Sequence, residues 1–456
     1  MTNIFKEKQN GVVLFLGRVV NFTEVEIKNF LEEQGMQYAN KYEGQEIALV
    51  VLSSMLTPLE EQISYDLYDI GVPDVSLSKF EEYFTTHIKP NSLIMSLKLS
   101  NDQDRLKRLL KNEAFLDEVY LKLFRLYNWG NNGIYENNDN RDITISFVKR
   151  FYRPNGFRDP AMIYAPTTVM NVAQESKDSI LLDAMLTMPN HQIKISQREE
   201  KRPKNIRELV AFNEYISQET VKRLLGFNNV DINYFIASNS ALTQTQQKHI
   251  FDKSDNNIKM MLAHNSNLSD NLFEKLLTKI DTIKTILTFQ TLNSKRLEII
   301  LSNIKDFKTI SHIGYNLNIK DIIESLSDLN IKELDFKLAS NISVKEKYLK
   351  ELYNRHKNKI VIELSKNSNL SKEMIEEFYK SKDTEIIKAL AVNTSTPTKI
   401  LDEMCELNDR ELNRLLASNS SVSLSYLQQF QLDPTLIMIL AKNETYGKNI
   451  LTGLGI

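Results

Sequence analysis

Ten residues in the middle of the chain, KRFYRPNGFR at 149 to 158, interleave Lys149, Arg150, Arg153 and Arg158 with Phe151, Tyr152 and Phe157. Cationic groups neutralise phosphates and aromatic faces stack on bases, so this mixture suits contact with nucleic acid. It also fits a loop that packs its aromatics against neighbouring helices. Other chemistry finds less support. His87, His191, His249, His264, His312 and His356 show no metal-ligand spacing, and Cys405 is the single cysteine. One cysteine excludes a disulfide framework, and also a cysteine zinc site or iron–sulfur cluster held by this chain alone. No phosphate-binding glycine loop, dinucleotide fingerprint or Ser/Cys nucleophile motif occurs. The expectation is therefore a non-enzymatic chain with no catalytic residues, no metal and no cofactor.

A second set of candidates comes from a recurring stretch. LAHNSNLS, LASNISVK, LSKNSNLS, LAVNTSTP and LASNSSVS are close copies, and taking the Asn of each as an anchor gives Asn213, Asn239, Asn265, Gln290, Asn316, Asn341, Asn367, Asn393, Asn419 and Asn443. Their spacing stays between 24 and 26 residues, as expected of stacked structural repeats. Three residues before each anchor stands Val, Ile or Leu, and the next residue is small, mostly Ala. Apolar positions four apart share one helical face, and the small residue lets a neighbouring helix approach closely. This marks a short buried helix, B, with Asn229, Asp255, Asp281, Asp306, Asp383, Asp409 and Asp433 as expected N-caps. The anchor is expected to stop helix B in a left-handed conformation and to bond the following turn. A second helix, A, follows from Ser217, Thr243, Ser269, Ser294, Ser371 or Ser423, or from Thr396 with Pro397 at the first helical position.

The position just before the anchor varies freely, and so does the one four residues earlier. Phe212, Tyr234, His264, Phe289, Tyr315 and Phe336 lie in these two rows. Solvated faces are seldom so aromatic, so these six are the candidate ridge for a protein partner. Coverage by another element or by a dimer contact is the alternative.

LAVNTSTPTKIL, with its form LAxN-x-x-[TS]-P-x-x-x-L, resembles the leucine-rich-repeat-variant family and, more loosely, HEAT-like helical repeats, over about residues 205 to 456. The resemblance implies a scaffold with no shared chemistry. At the other end, GVVLFLG and IALVVLSS are β-type runs separated by the amphipathic TEVEIKNFLEEQG. The expected order β-α-β-β-α-β-α resembles a BRCT domain, nearest the bacterial DNA-ligase type, over about 8 to 92. Gly35, Gly71 and Phe80 are its matching points, Phe80 standing where many relatives carry Trp. No Lys lies between Leu59 and Gly71, so phosphoserine recognition is not implied.

The expected fold class is α+β and multi-domain: a small α/β, BRCT-like head over 1–92, helices with long loops over 93–204, and an all-α solenoid of about ten units over 205–456. The head holds 7 Lys+Arg against 14 Asp+Glu, 93–212 holds 19 against 15, and 213–456 holds 31 against 30. Such a balance argues against a clamp that grips nucleic acid along its whole length. No apolar run approaches the roughly 20 residues that span a bilayer, and the first residues lack a signal peptide's apolar core. A cytoplasmic adaptor that binds a protein partner is the expected function. A DNA-associated genome-maintenance factor, using the ligase-like head and the basic loop, is the alternative.

Overall fold

VVLFL and IALVVL are buried at nearly every residue, which requires central strands covered on both faces. The computed structural model describes residues 5, 8, 10–153, 160–192 and 202–453. Strands β1 (Val12–Leu16), β2 (Gln37–Ala39), β3 (Ile47–Leu52) and β4 (Asp74–Ser76) form one parallel sheet in the order β2-β1-β3-β4. Helices α1 (Glu24–Glu33), α2 (Pro58–Asp69) and α3 (Leu77–His87) alternate with them in the expected sequence. Thr23 with Glu26 and Thr57 with Glu60 close capping boxes at the starts of α1 and α2. Gly35 and Gly71, at φ 73° and 85°, turn the chain out of those helices. Phe80 is fully buried, and its ring meets Phe15 edge-on at 4.9 Å.

The chain divides into two compact units, Met1–Ile236 and Ala237–Ile456. In the first, the sheet is fastened to the helices that follow it. Arg105, in α5 (Gln103–Leu110) after α4 (Pro90–Ser100), is only 4% exposed. Its guanidinium pairs with Glu26 at 2.5 Å and donates to the Asn21 carbonyl at 2.8 Å and to Ser96 Oγ at 3.1 Å. Burial opposes the charge on Glu26, yet the Arg105 and Thr23 hydrogen bonds more than offset it and hold this carboxyl below the usual range. The chain continues through α6 (Asp117–Phe124) and α7 (Asn138–Phe151).

The second unit consists of short helices in pairs. Leu262, Leu287, Ile313, Leu338, Leu364, Leu390, Leu416 and Leu440, three residues before their anchors, are all at most 2% exposed. From Asn265 onward the anchor amide reaches back one pair. Asn393 Nδ2 donates to the carbonyls of Ser365 and Asn367, both at 2.9 Å, and Asn419 Nδ2 donates to those of Ala391 and Asn393 at 2.8 and 3.1 Å. The same two-carbonyl rung is made by Asn265, Gln290, Asn316, Asn341, Asn367 and Asn443. A second row of rungs lies two residues further on, where Ser343, Asn369, Ser395, Ser421 and Thr445 donate to the preceding corner.

The expected left-handed anchor is corrected here. Asn393 has φ −78° and ψ 115°, and Asn316, Asn341 and Asn419 are similarly extended. An extended anchor aims its amide across the stack, while its carbonyl oxygen Oδ1 accepts from the backbone two residues on, as Asn393 does from Ser395 N at 2.9 Å. Left-handed residues occupy the opposite corner, between helices A and B: Asn330, Lys382 and Asn408. The caps also need amendment. Asp255, Asp306, Asp383 and Asp409 accept backbone N–H groups at their helix starts. Asp281 falls inside its helix, Ile280–Phe289, and Asp433 bonds Thr435 in a turn that precedes Ile437–Leu440.

Candidate partner-binding surface

A helix that buries the residue three before its anchor must turn the residue just before the anchor outward, since two positions on a helix are about 200° apart. Phe289 and Tyr315 are each 55% exposed. His264 lies half-buried against Phe289, with ring centroids 4.6 Å apart. Lys337 Nζ sits 4.6 Å from the centre of the Tyr315 ring, and His312 is 6.1 Å from the same ring. Phe336 is half-buried and leans on His356 at 5.5 Å. That histidine and Arg355 both contact the carboxylate of Asp335, which has no exposure at all. Phe336 therefore covers a buried ion cluster, and Phe289 and Tyr315 are the most open rings of this surface in the second unit.

In the first unit, Phe212 is 54% exposed and meets Phe235 edge-on at 6.2 Å. Tyr234 is half-buried and perpendicular to Phe235 at 5.1 Å.

The basic aromatic stretch is built differently from the ridge. Arg150 donates to the Phe115 carbonyl at 2.7 Å, to Asp117 at 2.9 Å and to the Glu113 carbonyl at 2.9 Å, with its guanidinium 4.7 Å above the Tyr120 ring. It clamps the turn before α6. Tyr152 is 8% exposed, Phe151 packs on Tyr120 and Phe147, and Arg153 donates to the Lys149 and Tyr152 carbonyls. Lys149, Arg150 and Arg153 line a cavity of about 400 Å³ together with Glu113 and Asp117. The acids share the cavity with the cations, which weakens its pull on phosphate. Arg158 and Phe157 lie outside the described residues. Trp129 is buried against Phe124 and Tyr127.

Sequence reading overlooked Lys284, Lys308 and Lys337, which belong to three different repeats and share no position relative to their anchors. Only the folded chain brings their fields together at His312. Among the described residues no group of three His, Cys, Asp or Glu could hold a metal, and no helix is long and apolar enough to cross a membrane. Comparison with family models, curated proteins and solved structures returns no match.

Proposed function

We propose that this chain is a non-enzymatic, cytoplasmic adaptor that docks a protein partner on the outward face of its B helices. In this reading the recurring pairs form a helical-repeat solenoid akin to the leucine-rich-repeat-variant and HEAT-like families, and the small parallel sheet is a BRCT-like head. The observation that carries it is a contrast within each of two B segments: Leu287 and Ile313 are fully buried while Phe289 and Tyr315, two residues on, are more than half exposed. Stacking explains the first pair. A bound surface gives the second pair a reason to be aromatic, and such anchors commonly contribute ~2 kcal/mol or more each to binding.

Replacing Phe289 and Tyr315 together by Ser tests this by affinity capture with quantitative mass spectrometry. The variant is expected to keep its circular dichroism and unfolding temperature and to lose the proteins that the parent retains. Unfolding of the variant would show that the rings belong to the core. Unchanged capture would place recognition elsewhere on the chain.

A further inference from the structure

Lys284, Lys308 and Lys337 stand on three successive B segments, the helices Ile280–Phe289, Phe307–Ile310 and Lys332–Ser340. Among the described residues none of the three has a carboxylate within ion-pair distance. Some other lysines of this compact unit are paired: Lys295 with Asp270, Lys366 with Glu363, and Lys388 with both Glu385 and Glu411. Burial together with the fields of Lys337, Lys284 and Lys308 pulls the His312 pKa below its ordinary value. Glu333 is the one acid whose field acts on Lys337, and burial still lowers the pKa of that lysine.

Close packing assembles this cluster. Where the repeats on either side carry Thr288 and Ala339, the 3-10 turn Ser311–Tyr315 carries Gly314, and a Cβ added there would stand 2.5 Å from the Lys337 Cβ. The missing methyl lets the helix Lys332–Ser340 close in, so that Lys337 Nζ reaches Ser311 Oγ at 2.8 Å and lies over the Tyr315 ring. The fields of Asp306 on Lys308 and of Glu333 on Lys337 offset the like charges only in part, since neither acid closes an ion pair with them, and a ligand carrying carboxylates relieves the remaining repulsion.

We infer that this patch docks a short acidic segment of the partner protein, with carboxylates against Lys284, Lys308 and Lys337 and an apolar side chain against Tyr315 and Phe289. This rests on the ridge as the docking surface and adds the chemistry of what docks. A nucleic acid fits less well. Duplex phosphates recur about every 1.7 Å along the axis and reward a long basic strip, whereas the next lysines along this face, Lys366 and Lys388, are neutralised by their own acids.

The test measures fluorescence anisotropy of a labelled random copolymer of glutamate and tyrosine on the full chain, with labelled oligothymidylate as comparison. The copolymer is expected to bind at low salt and to weaken as salt rises, and to bind more tightly than oligothymidylate. Lys308→Gln with Lys337→Gln should weaken it at least about tenfold, while Lys366→Gln, at an already paired site, leaves it unchanged. Absence of copolymer binding at low salt, or tighter binding of oligothymidylate, overturns the inference. So does a lysine double variant that binds the copolymer as the parent does. If that variant also keeps the captured partner while Phe289→Ser with Tyr315→Ser loses it, the ridge stands and the acidic ligand falls.

Discussion

Asn393 makes three hydrogen bonds, two buried ones through Nδ2 to the preceding pair and a partly buried one through Oδ1 to its own turn. As a helix-ending residue alone it would contribute about 1 kcal/mol. As a rung it contributes more, since Asn393→Ala leaves buried groups unsatisfied at roughly 1 to 3 kcal/mol each. We expect that substitution to cost about 2 to 4 kcal/mol in urea unfolding, comparable with the ~2 to 5 kcal/mol of Leu390→Ala, which empties core space. Asn393→Asp should be no milder, because it keeps the acceptor, loses both donors and sets a carboxylate beside two carbonyls. A cost for both Asn393 variants within a few tenths of a kcal/mol would remove the rung as a stabilising feature. Gln290 is nature's own variant: its Nε2 still reaches the carbonyls of Ala263 and Asn265 at 2.8 and 2.7 Å. The period alone made the anchors legible as special residues. Their direction was not legible, because the acceptors sit 24 to 29 residues earlier in the chain, and a local pattern does not report a partner at that distance.

The helices themselves were readable wherever a cap residue and an apolar face coincided. Thr243 with Gln246 and Asp409 with Leu412 both appear as the spacing predicts. Asp281 failed as a cap because its helix starts two residues earlier than expected, at Ile280 behind Lys279, a boundary shift that propensity does not resolve. The corner after helix Glu346–His356 shows what a pattern search misses. Lys357 adopts φ 52° and ψ −137° with its side chain exposed, a conformation that glycine accepts freely and a β-carbon resists. Lys357→Gly should therefore stabilise the chain by about 1 kcal/mol, the relieved strain exceeding the extra freedom glycine gives the unfolded state. A downward shift of the thermal midpoint for this variant would show that Lys357 is unstrained.

Charge divides the chain at about residue 92, but its packing does not. The acidic head and the helix carrying Arg105 lie in one compact unit, joined through an Arg105–Glu26 pair whose side chains are 5% and 8% exposed. No sequence signal marks Arg105 apart from its neighbour Arg108, since burial follows from where the helix docks. Arg105→Ala strands the Glu26 carboxylate and should cost ~3 to 5 kcal/mol. The pair also sets an acid limit. The folded-state pKa of Glu26 lies below its unfolded value, so the stability it contributes is present above the ordinary carboxylate range and is lost as pH falls through the depressed value. Acid titration of the parent should thus lose stability over that window, and Arg105→Ala should flatten the loss there; parallel acid profiles would exclude the pair as its source. In the second unit the rungs share one polarity, every amide pointing toward the N-terminus and every acceptor lying upstream. A ribosome releases the chain in that same order, at about 5 to 20 residues per second. Each new anchor therefore emerges to find its acceptors already made, and the growing end always presents carbonyls, which water satisfies, in place of orphaned donors. Assembly in the direction of synthesis is written into the orientation of one side chain.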